Sequence, residues 1–256
     1  MLVLKNERMV KILDAVNQEG VVTVTNLVDS LSVSSMTIRR DLDELEKEEK
    51  IVRVHGGAQS INFANKNEPS YIQKRQIHLE EKNEIAKQVA GMIEDNETIF
   101  LGPGSTNELV SKYLNVEDLR IVTNSLPVFE RFRDEHDYEL CLVGGTYRSR
   151  SGAFIGSLAQ DFLKSIRMHK AFVGVNGIMD NSLMNANPDE GETQSIALNQ
   201  SQEKYVVADH NKLNHDDFYQ FYNLQDVDGL ITDNSVDDEI LNHYASITRV
   251  FVSKSN

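Results

Sequence analysis

The stretch "VSSMTIRRDLDEL" (33–45) sets two serines, a threonine and two adjacent arginines at the head of a short, partly apolar segment. Placed on a helix at ~100° per residue, Ile38, Leu42 and Leu45 share one sector that must face a core. Met36, Thr37, Arg40 and Glu44 fall opposite, with Ser35 and Arg39 on one flank. Outward residues near a helix N-terminus are those that reach base edges in a major groove. Thr37 and Arg40 carry donors for bases, arginine matching the two acceptors of guanine, and Met36 matches a thymine methyl. Ser34, Ser35, Arg39 and the helix N-terminus suit phosphate oxygens. From Asp41 onward the carboxylates lie a turn further along, where such a helix leaves the groove.

An isolated Arg-Arg pair is ordinarily a solvated surface; the setting distinguishes this one. "NERMVKILDAVNQEG" places Met9, Ile12, Leu13 and Val16 at helical spacing. "TVTNLVDSL" repeats the pattern with Val24, Leu27, Val28 and Leu31 behind Thr23 as N-cap. "SVS" then leaves room only for a tight turn, with Ser34 capping the third helix, and two short helices so joined form a helix-turn-helix. "KIVRVHGGA" follows with Ile51, Val52 and Val54 as strand formers, ended by Gly56-Gly57. A strand and glycine turn directly after the third helix read as a wing, carrying Arg53 and His55 toward DNA. The winged helix-turn-helix is therefore assigned to 1–58 and a polar linker, "QSINFANKNEPS", to 59–70.

The second region, 71–256, opens with one helix from Tyr71 that carries Ile77, Ile85, Ala86, Val89, Ala90 and Ile93. Seven apolar runs then alternate with helical patterns: "TIFL", "LRIVT", "YELCLVG", "KAFVGV", "KYVVA", "VDGLIT" and "TRVFV". Such alternation predicts an α/β fold with a mainly parallel sheet. "TIFLGPGSTNEL" is a strand, a loop (Gly102, Gly104, Ser105, Thr106, Asn107) and a helix start, whose backbone N–H groups suit a phosphate. It is neither a Walker A loop nor a dinucleotide fingerprint. Thr123, Asn124 and Ser125, and then Gly144 and Gly145, follow the next two runs. Ligands of α/β sheets bind beyond the carboxyl ends of the strands, so these turns are expected to share one anionic ligand. Lys212 in "VVADHNKL" and Arg148 in "GGTYR" supply cations, and Asp189 and Glu190 in "NPDEGETQ" suit sugar hydroxyls. His210 and His215 do not converge on one helix face, and no metal or cofactor is expected.

The chain's formal net charge is −14, from 26 Lys+Arg against 40 Asp+Glu. Residues 1–60 hold 8 and 10 of these, which leaves 18 and 30, a net of −12, for the rest. The acidity thus belongs to the second region and excludes indiscriminate nucleic-acid binding. At 40% hydrophobic and 26% charged residues the composition is that of a globular protein. One cysteine, Cys141, excludes a disulfide framework and reads as a strand thiol. No apolar run approaches the ~18 residues of a membrane span, and the start lacks the apolar core of a signal peptide. The expected location is cytoplasmic.

"VSSMTIRRDLDELEKEEKIVRVHGGA" resembles the signature of the DeoR family of bacterial transcription regulators, through its serine-x-x-threonine-x-arginine-arginine-aspartate run and its His-Gly-Gly-Ala wing end at His55 to Ala58. The resemblance implies a repressor of a sugar catabolic operon: an N-terminal winged helix-turn-helix on operator DNA, then an α/β sensor domain resembling ribose-phosphate isomerases that binds a phosphorylated sugar. Most members carry an Asp where this chain has Gly102. "FLGPGST", "NPDEGETQSIAL" and "VADHNKL" are similar to the family's lactose phosphotransferase-system repressor branch, which implies tagatose 6-phosphate as effector; a homo-oligomer is expected because one small winged helix reads too few bases for useful specificity. On that resemblance Gly102 to Asn107, Thr123 to Ser125, Gly144, Gly145, Arg148, Asp189, Glu190 and Lys212 surround the ligand. The competing reading is a sugar-phosphate isomerase with an appended DNA-binding domain, using Glu190 as base and Lys212 as electrophile. Gly102 removes one carboxylate that such an enzyme would want.

Overall fold

A computed structural model describes residues 5–19, 21–31, 33–48, 50–54, 56–60, 68–135 and 138–253. The chain divides into two compact units, Met1–Glu68 and Pro69–Asn256, each with its own core.

The first unit runs α1 (Lys5–Glu19), β1 (Val21–Thr23), α2 (Val24–Leu31), α3 (Ser35–Lys47), β2 (Ile51–Val54) and β3 (Gly57–Ser60). Its core joins Ile12 and Val16 of α1, Leu27 of α2, and Ile38, Leu42 and Leu45 of α3. Burying each such side chain contributes about 1.5–3 kcal/mol, which sets the rotation of α3. Thr23 caps α2 by accepting from Asn26 N at 3.1 Å, and Ser34 caps α3 by accepting from Thr37 N at 3.2 Å. β1 is a strand the periodicity did not reveal, because three residues are too short to show alternation. It pairs antiparallel with β3, giving the sheet order β1-β3-β2. Gly56 turns the wing at φ +77°, and a Cβ at Gly57 would sit 2.0 Å from the Val22 carbonyl. β3 continues through Ser60, past the expected end at Ala58, because Gln59 and Ser60 pair with Val52 and Ile51. Of the expected linker, 61–67 lie outside the described residues.

One ion pair orients this unit. Arg8 of α1 grips Asp41 of α3 with both arms, Nε to Oδ2 at 2.5 Å and Nη2 to Oδ1 at 3.0 Å. Both residues are buried, Arg8 to 9% exposure and Asp41 to 2%, so each charge depends on the other.

The second unit begins with α4 (Tyr71–Gln76) and α5 (Leu79–Ala90). The single helix expected here is broken: Ile77 is extended and His78 left-handed at φ 53°. Then follow β4 (Thr98–Leu101), α6 (Ser105–Leu109), β5 (Arg120–Thr123), α7 (Leu126–Glu135) and β6 (Glu139–Leu142). A hairpin, β7 (Thr146–Arg148) and β8 (Ala153–Ile155), leads through α8 (Ser157–Lys164) to β9 (Met168–Gly174). After β10 (Gly177–Met179), β11 (Ser182–Asn185) and α9 (Pro188–Asn199) come β12 (Ser201–Val207), β13 (Tyr219–Asn223), β14 (Gly229–Thr232), α10 (Asp238–Ala245) and β15 (Val250–Val252).

The seven apolar runs are seven parallel strands in the order β15-β14-β12-β9-β4-β5-β6. Alternate residues divide between two cores: Phe100, Val122, Val173, Val206 and Leu230 in one, Ile99, Ile121, Phe172, Tyr205 and Ile231 in the other. Both faces are therefore covered, as a parallel sheet requires. The order reverses between β4 and β9, with β5 and β6 on one side and β12, β14 and β15 on the other. Cys141 is only half-buried because β6 is an edge strand, and burial pushes its thiol up. The β7–β8 hairpin and a small antiparallel sheet, β10-β11-β13, were not expected.

Replacing Asp41 with Asn removes the carboxylate that the buried Arg8 guanidinium grips. The expected loss is about 3–5 kcal/mol in the stability of the first unit, measured by denaturant unfolding. A loss under about 1 kcal/mol would show that the pair does not anchor α3.

Candidate functional site

On α3 the buried stripe leaves an outward face. Met36 is 65% exposed, and Ser34, Ser35, Arg39 and Arg40 are exposed beside it. Thr37 is half-buried, its hydroxyl sharing a hydrogen bond with Ser34 Oγ at 2.9 Å. Arg53 is more engaged than its sequence position implied. Its Nη1 donates to the Gly57 carbonyl at 2.8 Å, its Nε lies 3.4 Å from Asp43, and its backbone N–H donates to Glu46 at 3.3 Å. It ties the wing to α3. His55 lies outside the described residues.

The three acids nearest the double arginine are met by cations within the unit. Asp41 holds Arg8, Asp43 lies beside Arg53, and Glu44 pairs with Lys5 at 2.6 Å. Exposed pairs of the last two kinds add little stability, but they offset the carboxylates next to Arg39 and Arg40. Arg8 is the residue sequence reasoning missed; a lone arginine among the apolar positions of α1 was its only signal.

In the second unit a cavity of about 120 Å³ opens beyond the carboxyl ends of β4, β9 and β12, at the reversal of strand order. The loop after β4 contributes Gly104, Ser105, Thr106 and Asn107; the segment after β12 contributes Asp209 and Lys212; α9 contributes Glu190. Those six of the expected effector residues (Gly104 to Asn107, Glu190 and Lys212) are brought together. Gly102 sits behind the loop, where a Cβ would lie 3.3 Å from the Phe100 ring and the Phe172 carbonyl. Asn107 Nδ2 locks that loop by donating to Gly102 O and Phe172 O, both at 3.0 Å.

The other expected residues do not line the cavity. Thr123 Oγ1 donates to Leu101 O at 2.6 Å, Asn124 Nδ2 donates to Phe154 O at 2.9 Å, and Ser125 Oγ accepts from Val128 N at the start of α7. Gly144 is open to solvent, and Gly145 lets the hairpin approach, since a Cβ there would lie 2.6 Å from Ile155 O. These loops follow β5 and β6, which run away from the reversal point. Arg148 pairs with Glu190 at 3.2 Å, which places it behind the cavity wall. Asp189 is exposed at the start of α9.

Groups the sequence did not announce complete the cavity. Lys74 of α4 and Lys82 of α5 join Lys212, so three lysines converge on it. Lys82 is buried, and its Nζ donates to the carbonyls of Lys74 and of Ile77, the latter at 2.7 Å. Burial pulls its ammonium below the usual lysine range, Asp209 opposes that shift, and Lys212 and Lys74 add to it. Lys74 Nζ donates to Asn176 Oδ1 at 2.8 Å. The Tyr71 hydroxyl donates to Glu108; burial first, and that bond second, hold the phenol well above its usual range. Lys212 stands on a short turn fixed by His210, whose N–H donates to the buried Asp233 at 2.7 Å. Two buried side-chain atoms of the lining, Ser151 Oγ and Asn107 Oδ1, have no hydrogen-bond partner among the described residues. A donor and an acceptor left so favour a ligand that supplies both functions. Lys82 had a sequence signal: it falls on the stripe of Ile85, Ala86 and Val89, where a lysine is out of place. Among the described residues no cluster of His, Cys, Asp and Glu could hold a metal ion, and no helix is long and apolar enough to cross a membrane.

Comparison with known proteins agrees with this division. The family model of the DeoR-like helix-turn-helix domain matches residues 8–63, and that of the DeoR C-terminal sensor domain matches 77–234. A lactose phosphotransferase system repressor of Lactococcus lactis subsp. lactis is 40% identical over 251 residues, 96% of this chain and 98% of the relative. Its namesake from Streptococcus mutans serotype c is 38% identical, covering 95% and 98%. Among solved structures, ribose 5-phosphate isomerase A of Methanocaldococcus jannaschii aligns over 52% of this chain and 53% of its own, with a TM-score of 0.36 and 17% identity.

Arg40→Ala is expected to weaken binding to the cognate duplex by about 1–3 kcal/mol, read by fluorescence anisotropy. Full affinity in that variant would mean that another face of α3 meets the DNA.

Proposed function

The chain belongs to the DeoR family, and from that premise we propose that it represses a lactose or galactose catabolic operon and leaves its operator when a phosphorylated sugar, tagatose 6-phosphate, fills the cavity. α3 enters the major groove, with Met36, Arg39 and Arg40 outward and Ser34 and Ser35 at the phosphates. A homo-oligomer presents paired copies of α3 to a repeated operator, because one winged helix reads too few bases for useful specificity.

One observation carries the effector reading. In a region of net charge −12, three lysines gather on one cavity at the point where α/β sheets bind ligands. Phosphate is the group that asks for this: the amides of Gly104 to Thr106 at the start of α6 and the ammonium groups of Lys74, Lys82 and Lys212 are its donors. Ser151 and Asn107 then serve sugar hydroxyls. The isomerase alternative is set aside, since relatives at 38–40% identity are named repressors and Glu190, its candidate base, is committed to Arg148.

The test is anisotropy on the duplex upstream of the operon that the chain controls, titrated with a panel of sugar phosphates. Release by tagatose 6-phosphate alone is the expected result. Release by another phosphorylated sugar would keep the repressor and discard the lactose branch, and turnover of a sugar phosphate would revive the enzyme. Lys212→Ala is expected to keep operator affinity and lose release, an effect of about 1–3 kcal/mol on sugar-phosphate binding. An unchanged response would remove Lys212 from the site.

A further inference from the structure

The cavity is walled in part by the first element of the second unit. That unit begins at Pro69 and α4 at Tyr71, so the helix nearest the chain's exit toward the DNA-binding unit is also a ligand wall, presenting Tyr71 and Lys74. The Tyr71 N–H at the start of α4 donates to the Arg150 carbonyl at 2.7 Å, and several other groups that hold α4 are lining groups. Ser105 Oγ donates to the Lys74 carbonyl at 3.3 Å, and Lys82 Nζ donates to the same carbonyl. Lys74 Nζ is held by the neutral amide oxygen of Asn176. Behind the cavity, Glu108 of α6 accepts from the Tyr71 hydroxyl and pairs with Arg75 at 2.9 Å. At the far end, left-handed His78 forms the joint between α4 and α5.

The acceptors of these bonds, the Asn176 amide and the Lys74 and Ile77 carbonyls, are neutral, and for the same donors a charged phosphoryl oxygen is the stronger acceptor. We propose that Lys74 is the residue through which the bound ligand reports to the DNA-binding unit. A phosphoryl oxygen replaces Asn176 as the acceptor of Lys74, Ser105 and Lys82 turn to the same anion, and α4 shifts about the His78 joint. The chain's exit at Pro69 moves with it, and the Glu108 contacts carry the displacement of α6 to α4. The inference rests on the cavity being the sugar-phosphate site and adds the route by which occupancy is transmitted. A ligand drives this only by preferring the shifted arrangement.

The test uses the full chain. Tagatose 6-phosphate binding is followed by calorimetry and operator release by anisotropy, with inorganic phosphate as the anion alone. In Lys74→Gln, Lys82 and Lys212 remain, so the dissociation constant is expected to rise no more than about tenfold while the half-release concentration rises about 100-fold or release is lost. A thermal unfolding transition and far-UV circular dichroism matching wild type show the variant folded. Arg75→Gln, outside the cavity, is expected to keep the dissociation constant and raise the half-release concentration about tenfold. Equal rises of both quantities in Lys74→Gln would make Lys74 a ligand contact only and overturn the proposal. So would an Arg75→Gln chain indistinguishable from wild type, or amide exchange over Tyr71–Ile77 that ligand leaves unaltered. Failure of the wild-type chain to bind either tagatose 6-phosphate or phosphate would overturn the underlying site instead, and is seen without any variant.

Discussion

The reversal of strand order between β4 and β9 is the constraint from which the second unit's site follows. Crossovers leave in opposite directions on the two sides, so the loops beyond these strand ends diverge and leave a gap that no helix fills. The loop after β4 brings its small residues and the start of α6 to that gap, and the segment after β12 brings Asp209 and Lys212. Loops after β5 and β6 have similar composition but stand further along the sheet. Their polar groups are spent on the fold itself, Thr123 on β4 and Ser125 on the start of α7.

Charge is handled by the same economy in both units. In the first, the acids beside the double arginine are matched by Arg8, Arg53 and Lys5, and Asp41 is turned inward, so α3 keeps a cationic outer face in an acidic protein. In the second, Lys82 is buried against carbonyls near Lys74 and Lys212; burial first, and those like charges after it, lower its basicity. Such a cluster is best satisfied by an anion, and it borders the segment that leads back toward the DNA-binding unit.

Much of the fold was legible because its signals are local. The facing of α3 follows from the spacing of Ile38, Leu42 and Leu45, and the seven apolar runs became the seven strands of the sheet. Elements without periodicity were not legible. β1 is three residues long, the β7–β8 hairpin and the β10-β11-β13 sheet are short, and the break at His78 lies inside an otherwise helical pattern. Of the candidate cavity's lining, the loop after β4, Glu190 and Lys212 were named from sequence, whereas Tyr71, Lys74, Lys82 and Ser151 were not.

By itself the sequence determined the winged helix-turn-helix, the face α3 turns outward, the parallel sheet and the family to which the chain belongs. Each of these rests on residue spacing within one element or on a contiguous motif. Only the tertiary structure decided which strand ends are neighbours, that Arg8 rather than solvent receives Asp41, and that lysines from α4, α5 and the segment after β12 meet. These are contacts between residues far apart in the chain, some more than a hundred positions. They are set by the order in which strands are laid beside one another, which strand composition does not record.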